Sequence, residues 1–108
     1  MSVEHIVCAL GDIASGSVRR FVIGDRAIAV VRIDDAVYAI GDRCSHAEFS
    51  LSDGEVLRKS KELECAKHGS AFSLITGKPS SLPATAPVPV YAAKVVDGNV
   101  VITVATQQ

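Results

Sequence analysis

The sequence predicts an all-β fold, and three observations lead to that prediction. Valine, isoleucine and threonine account for 27 of the 108 residues, and β-branched side chains favour extended backbone. Short apolar runs alternate with turn residues at a spacing of roughly 8–12 residues, which is typical of antiparallel sandwiches and barrels. No window of about 11 residues carries apolar side chains at helical spacing. We therefore expect an antiparallel β-sandwich or barrel.

The first third of the chain predicts four strands. Apolar, β-branched runs cover residues 3–10 and 18–23, and a glycine-aspartate pair ends each of them. The next run covers residues 27–33 and is followed by two aspartates and then by the run 36–40. Because two turn-forming residues separate these apolar runs, 27–33 and 36–40 are expected to form a β-hairpin.

The C-terminal fifth predicts a second hairpin. The apolar runs 88–96 and 100–104 flank an Asp-Gly-Asn turn at residues 97–99, which is the strongest hairpin signal in the chain. Pro87 and Pro89 stand at the start of the first run, where a strand tolerates a residue without an N–H donor. These two strands are expected to complete the sheet.

Composition indicates one globular domain, covering residues 1–108. Apolar residues make up 48% and charged residues 21%, and neither a repeat nor a linker divides the sequence. A net charge of −1 leaves no broad cationic surface, so neither nucleic acid nor a membrane is an expected partner. The N-terminus lacks the features of a secretion signal, and three cysteines are an odd number for a disulfide framework. We therefore expect a cytoplasmic location.

The middle of the chain contains the residues that suggest chemistry. Cys44 and His46 form a Cys-x-His pair, and Cys65 and His68 form a Cys-x-x-His pair. Each pair follows a predicted strand, the second of them at residues 62–64, so both loops are expected at one end of the sheet. The third cysteine is expected to be core filler, because it sits alone in an apolar strand.

Two thiolates and two imidazoles suit either tetrahedral zinc or an iron–sulfur centre. Zinc sites usually draw pairs of ligands at wider spacing from knuckles and short helices, whereas the first pair here is separated by one residue. A binuclear cluster explains this spacing better, with each loop giving its cysteine to one iron and its histidine to the other. A zinc-stabilised interaction module remains the competing interpretation outside redox chemistry.

The sequence resembles the Rieske [2Fe–2S] ferredoxins, the electron carriers of bacterial ring-hydroxylating dioxygenase systems. The resemblance covers essentially the whole chain and rests on both ligand pairs, on the continuation Gly-Ser-Ala-Phe at 69–72 and on Thr-Gly-Lys-Pro at 76–79. It implies an antiparallel β-sandwich with a small cluster-binding subdomain, here residues 41–86, that is formed by two loops. It also implies one [2Fe–2S] cluster.

The resemblance assigns roles to individual residues. Cys44, His46, Cys65 and His68 are the implied metal ligands. Residues expected to surround the cluster are Ser70, Gly69 and Pro83, although Ser70 would also suit a turn after a glycine.

The resemblance also separates two branches of the family. Rieske proteins of cytochrome bc-type complexes carry an extra cysteine in each loop, and here those positions are Phe49 and Lys67. Those proteins also stabilise the reduced cluster with a tyrosine hydroxyl, where this chain has Phe72. We therefore expect the oxygenase branch and a potential toward the lower end of the roughly −150 to +300 mV span of Rieske centres.

The function implied is one-electron transfer, not catalysis. The carrier would pass electrons from an NAD(P)H-dependent flavoprotein reductase to a non-haem iron oxygenase or another terminal redox enzyme. Two redox alternatives stay open: a small iron–sulfur subunit of the nitrite reductase kind, and a ferredoxin that serves iron–sulfur cluster assembly.

Overall fold

The computed structural model describes residues 2–24, 26–42, 51–65, 71–79 and 87–105. Within these ranges the chain contains nine β-strands and two 3₁₀ helices and no α-helix, which confirms the all-β prediction. The strands are β1 (Ser2–Ala9), β2 (Ser17–Ile23), β3 (Arg26–Ile33), β4 (Ala36–Gly41), β5 (Glu55–Leu57), β6 (Glu62–Glu64), β7 (Ala71–Ser73), β8 (Val90–Val96) and β9 (Asn99–Ala105). The 3₁₀ helices are Leu10–Asp12 and Leu51–Asp53. Neither has the length that crossing a membrane as a helix requires.

The strands form two antiparallel sheets. Six strands build the larger sheet in the order β1-β9-β8-β4-β3-β2, and three build the smaller one in the order β5-β6-β7. The smaller sheet consists of one continuous stretch of chain between β4 and β8. All three of its strands therefore come from one segment of the chain.

Both predicted hairpins are confirmed, and local backbone geometry explains why they could be predicted. Strands β3 and β4 pair from Ile33 opposite Ala36, with Asp34 at a φ of 55° in the turn between them. Strands β8 and β9 meet around Asp97 and Gly98, at φ values of 51° and 79°. Asp-Gly is favoured at such turns because both central positions need a positive φ.

Strand β3 is buried on both faces. Ala29 and Val31 belong to the apolar cluster that includes residues of the smaller sheet, whereas Ile28 and Val30 belong to a second cluster with Ile102 of β9. A strand covered on both sides reads as a continuous apolar run, which is what residues 27–31 show. The smaller sheet thus packs on one face of β3.

The sequence analysis differed from the structure in the short and proline-flanked strands. Strands β5 and β7 were not predicted, because three residues are too few to show an alternating pattern. The run 88–96 forms a strand only from Val90, since the prolines before it cannot donate to a ladder. The first strand ends at Ala9, and the chain continues there into a 3₁₀ helix.

An ion pair connects the turn between β5 and β6 to the larger sheet. The Nη2 of Arg58 lies 2.9 Å from the Oδ1 of Asp34 in the β3–β4 turn. Both side chains are at least half exposed, so this pair contributes at most about 1 kcal/mol to stability. The buried apolar contacts of the smaller sheet therefore account for most of its attachment.

Candidate metal centre

The structure describes one of the four predicted ligands. Cys65 lies within the described residues, whereas Cys44, His46 and His68 lie outside them. The three residues predicted to surround the cluster, Gly69, Ser70 and Pro83, also lie outside the described residues. What the structure shows is how the ends of the segments that contain these residues are held.

Cys65 directly follows β6 and is fully buried. Residues two apart on a strand point to the same face, so Cys65 continues the inward face of Leu63, which is also fully buried. Both belong to one apolar cluster that also contains Leu51, Phe72 and Val88. The thiol is thus positioned by a short β-ladder and lies in an apolar environment.

The ends of the segment 43–50, which contains Cys44 and His46, meet at Asp42. The backbone N–H of Leu51 donates to the carbonyl oxygen of Asp42 at 2.5 Å. The backbone N–H of Ser52 donates to the Asp42 Oδ1 at 2.8 Å. One aspartate therefore closes the segment with both its backbone and its side chain.

Asp42 is the one charged residue in the buried interior of the described ranges, at 1% exposure. Its Oδ2 lies 3.0 Å from the Nε of Arg20, a residue of β2 whose side chain is 52% exposed. Burying a carboxylate is costly unless its oxygens are paired. Here one carboxylate oxygen accepts a hydrogen bond from the Ser52 N–H, and the other forms the ion pair with the guanidinium. Both oxygens of the buried carboxylate are therefore paired.

The segment 66–70, which contains His68, is closed by the β6–β7 hairpin. Glu64 pairs with Ala71 and Leu63 pairs with Phe72 in the antiparallel register. The last paired residue of β6 is therefore the immediate neighbour of Cys65. This ladder fixes the position at which the second predicted ligand pair begins.

The segment 80–86, which contains Pro83, is closed by Gly77 and Val88. The Val88 N–H donates to the Gly77 carbonyl at 2.9 Å, and Phe72 forms an isolated β-bridge with Pro79. A Cβ on Gly77 would lie 2.1 Å from the Val88 carbonyl oxygen, so only glycine permits this approach. The Thr-Gly-Lys-Pro motif thus holds the base of the proline-containing segment.

All three segments are anchored at the same apolar cluster. Leu51 follows the first segment, Cys65 precedes the second, and Val88 lies beside the third, and the three are buried together. Gly54 brings the first anchor close to β6, because a Cβ there would lie only 1.7 Å from the carbonyl oxygen of Glu64. The fold therefore brings the boundaries of both predicted ligand segments to one place.

The chemistry of the donor set fits a [2Fe–2S] cluster with two cysteine and two histidine ligands. Thiolate is the form of cysteine that binds metal, and the buried position of Cys65 keeps water away from such a sulfur. The described ranges hold no cluster of three or more acidic, cysteine or histidine side chains that could bind a metal by itself. The other predicted donors, Cys44, His46 and His68, lie outside the described residues.

Cys8 stands apart from this site. It lies on β1, is half-buried and packs against the second apolar cluster. Burial raises the pKa of its thiol above the ordinary value, and the charge of Asp12 adds to that effect while Arg19 opposes it. A thiol that keeps its proton is a poor metal ligand, which agrees with its predicted role as an apolar filler.

Sequence reasoning missed three residues that organise the site. Asp42 has the same sequence context as any solvated aspartate after a strand, and its partner Arg20 is 22 positions away. Gly54 follows Asp53, and an Asp-Gly pair by itself indicates an ordinary turn. Only the tertiary contacts reveal that these residues hold the ends of the predicted ligand segments.

Comparison with known proteins places this site in context. Residues 3–92 match the family model described as the Rieske [2Fe-2S] domain. The chain is 39% identical over 105 residues to the 3-phenylpropionate/cinnamic acid dioxygenase ferredoxin subunit of Photorhabdus laumondii, covering 97% of this chain and 98% of that one.

Solved structures show the same fold. The ferredoxin of carbazole 1,9a-dioxygenase from Nocardioides aromaticivorans superposes with a TM-score of 0.89 at 34% identity, over 92% of this chain and 95% of that one. A second match is the ferredoxin in a solved complex of reduced oxygenase and oxidized ferredoxin in carbazole 1,9a-dioxygenase. It superposes with a TM-score of 0.84 at 38% identity, over 92% of this chain and 91% of that one. A nitrite reductase small subunit from Mycobacterium tuberculosis, at 24% identity and a TM-score of 0.87 over 99% of both chains, shares the fold alone.

Proposed function

The chain belongs to the Rieske [2Fe-2S] domain family, and on that premise we propose that it is a one-electron carrier of an oxygenase system. The observation that carries the proposal is that Leu51, which follows the predicted ligand segment 43–50, and Cys65, which precedes the segment 66–70, are buried in one apolar cluster. When bound, the [2Fe–2S] centre takes up and releases one electron. The protein supplies the thiolate and imidazole ligands and a surrounding that keeps water from the sulfurs.

The proposed ligands are Cys44, His46, Cys65 and His68. The burial of Cys65 at the end of a β-ladder supports its assignment. The closure of the segment 43–50 through Asp42 supports the first pair, because it holds both ends of that segment beside the apolar cluster.

The proposal includes the residues around the cluster. Ser70 and Gly69 follow His68 directly, and Pro83 lies in the segment whose base Gly77 and Val88 close. Each would lie close to the metal centre if the segments meet above their shared anchor.

The proposed domain covers residues 1–108, with a cluster-binding subdomain over residues 41–86. The three-stranded sheet supports this division, because β5 to β7 pair in one sheet and all fall within the proposed subdomain. The larger sheet then acts as a rigid base.

The proposed partners are a flavoprotein reductase, which delivers electrons from NAD(P)H, and a non-haem iron oxygenase, which receives them. The solved complex of an oxygenase with a ferredoxin 38% identical to this chain supports the second partner. Both steps are proposed to take place in the cytoplasm. A role as a nitrite reductase subunit finds less support, since the likeness to such a subunit is one of fold alone.

The experiment is a metal and sulfide analysis combined with electron transfer. Wild-type protein purified without oxygen should hold about two irons and two acid-labile sulfides per chain. Cys65→Ser should lose them while keeping its β-sheet circular dichroism, and Cys8→Ser should keep them. The loaded protein should accept electrons from a dioxygenase reductase with NADH and pass them to the matching oxygenase. Zinc in place of iron would overturn the proposal and favour an interaction module.

A further inference from the structure

We propose that Arg20 and Asp42 form a positioning pair that sets the reduction potential of the metal centre. The pair would do so by holding the ends of the segment 43–50 and by placing a buried carboxylate, paired with a half-exposed guanidinium, beside it. The inference rests on the proposed function, since it requires Cys44 and His46 to be ligands.

The position of Asp42 makes its charge a near neighbour of the cluster. Only one residue separates Asp42 from Cys44, so their Cα atoms are at most about 7 Å apart. The Asp42 side chain is 2% exposed, and water screens a buried charge poorly. We therefore expect a change in this charge to act on a metal centre that Cys44 helps to hold.

The two members of the pair should act on the potential in opposite directions. Reduction adds one negative charge to the cluster, which the Asp42 carboxylate disfavours and the Arg20 guanidinium favours. The guanidinium balances the carboxylate across the 3.0 Å contact, but its side chain is half exposed and better screened. The carboxylate should thus have the larger effect.

A scaffold role alone leads to a different expectation. If the pair only held the loop, loss of either partner would loosen the same segment and alter the centre in the same way. Opposite shifts in potential therefore distinguish an electrostatic role from a purely structural one.

The test uses charge-neutralising and charge-conserving variants of the full-length loaded protein. Asp42→Asn should favour reduction and Arg20→Gln should disfavour it, each by about three- to tenfold in equilibrium constant, where tenfold is about 59 mV for one electron. The double variant should return toward the wild-type potential. Arg20→Lys should stay close to the wild type, because it keeps the charge.

The chain offers matched controls for both charges. Arg19 neighbours Arg20 on β2 but lies over the ring of Phe21, 5.5 Å from its centroid. The Asp35 side chain is 98% exposed in the β3–β4 turn. Arg19→Gln and Asp35→Asn should each change the equilibrium constant by less than about twofold.

The readout is a redox titration followed by electron paramagnetic resonance, which reports the potential of the loaded fraction even where a variant holds less iron. Opposite shifts with recovery in the double variant support the inference. Shifts of the same sign, or shifts no larger than those of the controls, would overturn it. A wild-type protein without a Rieske signal would instead overturn the proposed function, and the inference with it.

Discussion

Gly77 and Val88 approach each other so closely that no side chain fits between them. The Val88 N–H donates to the Gly77 carbonyl at 2.9 Å, and a Cβ on Gly77 would lie 2.1 Å from the Val88 carbonyl oxygen. Gly77 also has a φ of +74°, a conformation that residues with a Cβ disfavour. This contact closes the segment 80–86 at its base.

Gly77→Ala should therefore lower the free energy of unfolding by about 3 kcal/mol, through backbone strain and steric overlap together. Gly98→Ala is the matched control, because Gly98 has a φ of +79° and nothing within 4 Å of its added Cβ. That variant should lose only about 1 kcal/mol. Urea unfolding of the loaded proteins measures both, and equal losses would show that the contact with Val88 does not matter.

A substitution at Gly54 tests the close approach between Gly54 and Glu64, which brings the end of the first predicted ligand segment to β6. A Cβ at this position would lie 1.7 Å from the Glu64 carbonyl oxygen, so Gly54→Ala must displace the backbone next to Cys65. We expect reduced iron content and a stability loss of about 3 kcal/mol. Gly11→Ala should leave both quantities unchanged, because its Cβ would meet open space. Normal iron content in Gly54→Ala would contradict the proposed positioning of Cys65.

The variant Phe72→Tyr tests why the reduction potential of the metal centre is expected to be low. Phe72 is fully buried in the same apolar cluster as Cys65. The resemblance described in the sequence analysis matches it to a tyrosine of the cytochrome bc-type Rieske proteins. Phe72→Tyr should raise the midpoint potential, because a hydroxyl that donates to the centre stabilises the reduced state. A redox titration measures this shift, with Phe21→Tyr on β2 as the control. An unchanged potential with lower stability would mean that the buried hydroxyl finds no partner there.

The raised pKa of the Cys8 thiol leads us to predict that the free energy of unfolding depends on pH. Burial raises the pKa of its folded thiol above the ordinary value of 9.0, which the unfolded chain keeps. Below that value both states hold the proton, and above it the unfolded state loses the proton first. Stability should therefore fall as the pH rises above about 9.

The matched variant for this prediction is Cys8→Ala. Unfolding free energies measured between pH 8 and pH 11 should fall more steeply in the wild type than in Cys8→Ala, since all other titrating groups are shared. Parallel curves would indicate that the folded thiol titrates as it does in the unfolded chain.

The parts of the fold that could be predicted are those with local causes. The Asp-Gly turn at residues 97 and 98 needs two positive φ values, and that requirement is visible in the sequence. The continuous apolar run of β3 likewise reports burial on both faces. Strands β5 and β7 could not be predicted, because their three residues are ordered by pairing with β6 and not by their own pattern.

The candidate site likewise has features that could be predicted from local sequence and features that could not. The spacing of the Cys-His pairs is a local feature of the sequence, and it predicts the ligand chemistry. The Arg20–Asp42 ion pair and the approach of Gly54 to Glu64 join residues that are distant in sequence. Such contacts become apparent only once both sheets are assembled.

The most direct test of the central claim is a redox titration of the wild-type protein, purified without oxygen and followed by electron paramagnetic resonance. We predict a Rieske-type signal that appears on one-electron reduction, with a midpoint potential below zero. A protein that holds zinc and stays silent at every potential would contradict the assignment of a [2Fe–2S] electron carrier.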